Sequence, residues 1–287
     1  MARAVAVDQP GLTPPARPEP ERDHHGRYLI PDPVTGEKRA WTRATTWAAT
    51  VAETFALQQW GLRMAAIGLA RRPDLLTGVA AVLDPDSKDG KRALDKLIER
   101  AQEDAQASAR STLGTALHSF AEAHDTGRQV TYIPPPFDRD LEAYRKAMQT
   151  VRVSPNYVEK IGVLPDLGVA GTMDRVVAFH HSRQPMVGDL KTGRDLSYSW
   201  TEIAIQLALY AHATHVWDPA EKLHRPMLEV DQKQALVVHL PAGEARCRLY
   251  IVDIAAGWEM AQICGTVRDW RGRKNLASPL LAEEVRA

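Results

Sequence analysis

Asp189, Leu190 and Lys191 follow Asp174 in the chain, and each aspartate lies in a segment that reads as a strand. Aspartate is depleted in strands, so two of them in neighbouring strand segments need a reason. Side chains at 189 and 191 are two apart and share a face of a strand. Two carboxylates and an ammonium group gathered there suit the holding of a divalent cation beside a phosphate. Hard oxygen ligands favour Mg²⁺ or Mn²⁺, and such an ion polarises a phosphoryl oxygen and acidifies its bound water. In that arrangement Asp189 is a metal ligand, and Lys191 orients the attacking water or neutralises developing charge. The chemistry this implies is metal-assisted phosphodiester cleavage.

Two further pairs lie at helical spacing. His118 and Glu122 are four apart, on one face of a helix. Gly114, one turn earlier, would let that helix approach a sheet closely, and an imidazole is a competent ligand for Mn²⁺. No second histidine completes a zinc-protease pattern around Glu122. Gln206 and Tyr210 are also four apart, on the helix that follows the lysine strand; Gln206 would reach the bound water or a phosphate, and Tyr210 would stack or donate to the backbone.

The elements that must position these groups follow from periodicity and breakers. Residues 1–26, rich in proline and charge, read as a disordered leader. Helical spacing covers 41–69, breaks occur at Pro73 and over 84–90, and a long helix is expected over 91–124 with its end at Gly127. A short helix is expected over 139–148. Strands are expected over 157–163, 169–179 and 186–190, with turns at Leu167-Gly168 and at 181–184. A helix over 200–216, strands over 235–240 and 247–251, and a helix over 255–270 complete the order. The expectation is an α/β fold: a mixed central sheet flanked by helices, with a helical N-terminal part over 27–110, a core over 111–271 and a tail over 272–287.

Composition narrows the setting. The 36 basic and 36 acidic residues cancel, so no global positive charge advertises a nucleic-acid partner, although a basic groove beside an acidic metal centre would leave the same sum. No apolar run approaches the roughly 20 residues of a bilayer span, and no secretory signal is evident, which points to the cytoplasm. Cys247 and Cys264 cannot build a disulfide framework or a four-cysteine metal site and read as small hydrophobes.

Gly-x-x-x-His at 114–118, Gly-Thr-x-Asp at 171–174, Gly-Asp-x-Lys-Thr-Gly at 188–193 and Gln-x-x-x-Tyr at 206–210, in this order, resemble the PD-(D/E)XK nuclease superfamily and its RecB-like exonuclease branch, which includes phage and CRISPR-associated nucleases. The resemblance covers about residues 111–252, with a fainter echo in Arg43-Ala44-Thr45-Thr46. It implies a restriction-endonuclease-like fold. It also implies that His118, Asp174, Asp189 and the backbone carbonyl of Leu190 ligate the metal, that Lys191 is the catalytic lysine, and that Gln206 and Tyr210 form the helix motif. Glu159, on the strand before Asp174, becomes an outer or second-metal carboxylate. Met173 stands where the family name has proline, and the iron–sulfur cysteines of several relatives are missing, so no cluster is expected.

Nucleic-acid contacts are expected from Thr192 and Arg194, directly after the lysine strand, and from Arg271 and Arg273 around Trp270, where cations and an indole would meet phosphate and base. Arg175 should point away from Asp174 and serve structure. The function expected is a Mg²⁺- or Mn²⁺-dependent deoxyribonuclease, an exonuclease of recombination, repair or phage DNA metabolism, acting on DNA with a recombinase or single-strand annealing protein as partner. The alternatives are a non-catalytic DNA-binding or assembly protein on the same scaffold, and a nuclease for RNA or branched structures.

Overall fold

The computed structural model describes residues 19–105, 109–130, 132–180 and 184–280. A hairpin of β1 (Tyr28–Pro31) and β2 (Lys38–Arg43) comes first, then a short helix α1 (Ala44–Ala48) running into one 3-10 turn, Ala49–Val51. Helices α2 (Phe55–Arg71), α3 (Pro73–Ala80) and α4 (Lys88–Asp104) pack on one another. Helices α5 (Ala109–Asp125) and α6 (Phe137–Thr150) lead into an antiparallel meander of β3 (Val153–Leu164), β4 (Val169–Phe179) and β5 (Met186–Lys191). Helix α7 (Trp200–Ala211), a hairpin of β6 (His215–Asp218) and β7 (Leu223–Pro226), strands β8 (Gln234–His239) and β9 (Arg248–Asp253), and α8 (Ile254–Arg271) follow.

The strands form a mixed sheet in the order β7-β6-β3-β4-β5-β8-β9, with β2 joining the start of β4 in parallel. The β5–β8 pair is also parallel, which requires a crossover, and α7 supplies it. Helices cover both faces. The α7 face holds a core of Met173, Val176 and Val187 from the strands with Ile203, Leu207 and Tyr210 from α7 and Cys264 from α8. The α5–α6 face holds Val177 and Leu190 with Leu117, Phe120 and Leu141. This is the restriction-endonuclease-like architecture: a mixed sheet between helical layers. No described helix is long and apolar enough to cross a membrane.

Several elements differ from the sequence expectation for physical reasons. The span 41–69 is not one helix. Trp41 is buried on β2, where its indole donates to Ile30 O at 3.0 Å, and the alanines around 44–52 hide the 3-10 break before α2. The span 91–124 is two helices, with 106–108 outside the described residues. The last of them does end at Gly127, whose φ of 68° brings the Arg128 N–H back onto Ala123 O. Helix α7 stops at Ala211 because Val216 and Trp217 pair with Gly162 and Ile161 on β3, and that strand pairing outweighs the helical spacing. Residues 1–18 of the expected leader, 181–183 of the expected turn and 281–287 of the expected tail lie outside the described residues. Within 19–26, Arg22 bridges to Tyr28 and Asp23 accepts from the Arg27 N–H at 2.9 Å.

Close helix approach rests on two glycines. A Cβ at Gly68 would fall 1.7 Å from Ala101 O where α2 crosses α4, and one at Gly257 would fall 2.3 Å from Ala204 O where α8 crosses α7. Backbone cannot yield there as a flexible side chain would. Gly257→Ala should therefore cost about 1–3 kcal/mol of stability through overpacking, read as a lower urea midpoint at unchanged m-value; an unchanged midpoint would show that the two helices part without penalty.

Candidate active site

The site forms where two strands separate. β4 and β5 pair through Arg175↔Gly188, Val176↔Val187 and Val177↔Met186, and no further pair follows. Asp174 on one strand and Asp189, Leu190 and Lys191 on the other lie just past that point. The Leu190 N–H left without a ladder partner donates instead to Asp174 Oδ2 at 2.7 Å. The alternation of β4 also breaks here. Met173 and Val176 both belong to the α7 core, whereas Arg175 turns to the opposite layer, its Nε 3.2 Å from Asp125 Oδ2 and its guanidinium over the Tyr144 ring. Across the ladder, between Val158↔Arg175 and Lys160↔Met173, stands Glu159 with a φ of 51°, a conformation rare for a non-glycine strand residue. That twist brings the ligand atoms of His118, Glu159 and Asp174 within 4.8 Å of one another.

Asp189 and Lys191 share the α7 face of β5. Lys191 Nζ lies 2.8 Å from Asp189 Oδ2, and Gln206 Nε2 donates to Asp189 Oδ1 at 3.4 Å and to Tyr210 Oη at 3.2 Å. Asp189 Oδ2 is buried without a well-directed hydrogen bond. Burial, reinforced by the charge of Asp174, pushes the Asp189 carboxyl up to about 6, against the pull of Lys191. Burial likewise holds the Tyr210 phenol well above its ordinary value, so it stays neutral.

His118 Nδ1 stands 3.7 Å from Asp174 Oδ2, and its ring also reaches the Leu190 carbonyl. Burial lowers the His118 pKa, with Arg175 and Lys191 acting the same way against Asp174, and the neutral ring is the ligand form. The Leu190 carbonyl is available to the site for a topological reason. Successive carbonyls leave a strand on opposite edges, and the Lys191 carbonyl is taken by the Leu240 N–H beside β8.

Two glycines set the walls. A Cβ at Gly114 would fall 2.5 Å from Thr192 Oγ1, so a larger residue there would have to turn that hydroxyl aside for α5 to carry His118 this close to the end of β5. A Cβ at Gly171 would fall 2.8 Å from the Tyr210 ring and 3.0 Å from Ala44, the place where α1 and α7 press on β4.

The resulting cavity, about 320 Å³, gathers His118, Asp174, Asp189, Lys191, Gln206 and Tyr210. Thr192 lines it, and Arg194 lines the adjoining cavity. Arg271 and Arg273 line neither. Arg271 donates to Thr50 O at 3.3 Å, and Arg273 lies over Trp270. Glu122 takes Arg128 at 3.3 Å rather than joining the His118 group. Sequence reasoning did not place Tyr28, whose hydroxyl shares a 2.8 Å hydrogen bond with Thr172 Oγ1, or the exposed Arg43; both line the cavity. The Arg43-Ala44-Thr45-Thr46 echo was the available signal for Arg43. Tyr28 had none, because its role depends on β2 pairing with β4.

His118, Glu159 and Asp174 are a donor set for a hard divalent cation; Asp189 lies outside that tight group but shares the cavity with His118 and Asp174 and offers a buried oxygen whose near partner is Lys191. Fold and donors together define a restriction-endonuclease-like protein with an acidic cation-binding centre. The chain belongs to the PD-(D/E)XK nuclease superfamily, whose family model matches residues 80–249, more than half of its length. None of the curated proteins matches it.

The raised Asp189 carboxyl gives a signed pH effect. Folding favours its neutral form, so its contribution to stability is complete below about pH 4 and is lost as pH rises through about 6. In chelator, Asp189→Asn should be more stable than the native chain by about 3 kcal/mol near pH 8, with the gap closing towards about pH 4. Denaturant midpoints across that range read it out, and a gap independent of pH would contradict it.

Proposed function

We propose that the chain is a Mg²⁺- or Mn²⁺-dependent deoxyribonuclease of the RecB-like exonuclease branch, hydrolysing DNA phosphodiester bonds. The observation that carries this reading is the convergence of Asp174, Asp189 and Lys191 with His118 where β4 and β5 separate. His118, Asp174, Asp189 and the Leu190 carbonyl would hold the ion, with Glu159, which lies beside His118 and Asp174, as a further carboxylate. When bound, the ion polarises the phosphoryl group and acidifies the attacking water.

The chain's own residues do the remaining work. Lys191, steadied by Asp189 at 2.8 Å, directs its ammonium at the attacking water and at the negative charge that grows on the phosphoryl oxygens. Gln206 fixes Asp189 and Tyr210 in one hydrogen-bonded row, so neither carboxylate nor phenol must reorganise during the reaction. Tyr210 remains a neutral donor. Thr192 and Arg194 receive the phosphate of the scissile strand at the cavity mouth. The setting that suits these parts is recombination, repair or phage DNA metabolism in the cytoplasm, with a recombinase or single-strand annealing protein as partner.

Lys191→Ala and Asp189→Ala should each remain folded and lose metal-dependent DNA degradation by about 100-fold or more in kcat. Digestion of end-labelled linear duplex with Mn²⁺, beside EDTA, single-stranded DNA and RNA arms, measures this. Mononucleotides released from the first time points mark an exonuclease, and undiminished activity in either variant would overturn the assignment.

A further inference from the structure

Beside the metal-site cavity lies a larger one of about 630 Å³, and the two share His118, Thr192 and Gly193. Its far wall is the turn joining β8 to β9, represented by Ala242 and Glu244. That wall is built rather than loose. Asp140 on α6 is completely buried, and its two oxygens accept the Gly243 and Ala245 N–H groups at 2.7 Å each. The turn needs such an anchor, because Gly243 and Ala245 have φ values of 82° and 49°. The facing loop is fastened to it as well: Ala242 N–H donates to Thr192 O at 3.2 Å, and the His239 ring bonds Gly193 O at 2.8 Å.

On this rigid frame the charges are arranged in an unusual order. Arg194, with a side chain 78% exposed, is the cation of the cavity among its described lining residues, and its Nε lies 3.4 Å from Glu244 Oε1. The other oxygen of Glu244 holds Arg246 at 2.6 Å. One carboxylate thus occupies two guanidinium groups at the border of a groove that opens onto the metal site. A phosphodiester presents two non-bridging oxygens that a guanidinium can bind bidentately, as it binds a carboxylate.

We propose that the larger cavity is a phosphodiester subsite for the DNA nucleotide flanking the scissile bond, and that Glu244 retains Arg194 until a strand phosphate displaces it. Arg194 exchanges one anionic partner for another at the exposed border of the groove, and Glu244 keeps Arg246 after the exchange. Asp140 is the positioning residue that holds the turn, and with it Glu244, at the correct distance. The subsite rests on the deoxyribonuclease reading above.

Equilibrium binding of a fluorescein-labelled linear DNA duplex in EDTA, over a series of KCl concentrations, tests it with the full chain. Arg194→Ala should weaken binding and flatten the salt dependence by about one phosphate contact. Glu244→Gln should tighten binding by about threefold, the scale of an exposed ion pair, and in the double variant that gain should vanish. A Glu244→Gln gain that persists in full without Arg194 would overturn the subsite, because the carboxylate would then merely repel DNA. No change on Glu244→Gln would overturn it as well. Absence of DNA binding by the native chain despite Mn²⁺-dependent degradation would overturn the subsite alone, and absence of both would remove the deoxyribonuclease reading and the subsite with it.

Discussion

Like charges held close together in a partly dry interior constrain everything around them. Asp174 shares one group of ligand atoms with His118 and Glu159 and one cavity with Asp189, where β4 and β5 part. Arg175 is buried behind the cluster, but Asp125 and Tyr144 on the opposite layer hold it. Lys191 serves Asp189 alone among the described ion pairs. The Leu190 N–H answers one oxygen of Asp174. Asp174 and Asp189 therefore share a local excess of negative charge, which a proton or a metal ion relieves. The raised pKa of Asp189 is the first response, and a hard divalent cation is the second.

This excess also explains why the surrounding backbone is so confined. The donors come from α5, β3, β4 and β5, so their convergence depends on how closely helices approach the sheet. Gly114 sets the height of α5 above the end of β5, and Gly171 lets α1 and α7 close on β4. Trp47 ties α1 to α8 through its indole N–H on Ala261 O at 2.9 Å, which keeps that wall from drifting. Glu159 shows the cost of the arrangement. Its left-handed backbone is held by the ladder pairs on either side, and only a strongly determined sheet sustains such strain.

The part of this legible in the sequence was the part encoded locally. The meander over β3 to β5, the crossover helix and the β8–β9 pair announce themselves by period and turn residues, and positions 189 and 191 share a face by strand geometry alone. Short motifs carried the family. What stayed hidden depends on pairing partners far away in the chain. β1 has only four residues, and β2 runs without a break into an alanine-rich continuation that mimics a helix. Val216 falls within the expected helix yet becomes part of a strand held between β3 and β7. Arg271 and Arg273 form a basic cluster beside a tryptophan, but their guanidinium groups are used on Thr50 and Trp270. Composition shows that a cation is present and not what it touches.

The N-terminal hairpin illustrates how such hidden pairing shapes the site. It precedes residue 80, where the family match begins, yet Thr42 and Arg43 align in parallel with Val169 and Ala170 at the start of β4. That register carries Tyr28 to Thr172, two residues from Asp174, and sets Arg43 at the cavity. Trp41, fully buried, and Ile30 lock the hairpin onto Ile161, Val163 and Trp217, so its position is fixed by a core of its own. The superfamily core thus supplies the acids and the lysine, while a segment outside the matched span supplies one wall of the cavity. Features that distinguish this chain from its relatives in shape and charge at the site can arise there without disturbing the metal-binding strands.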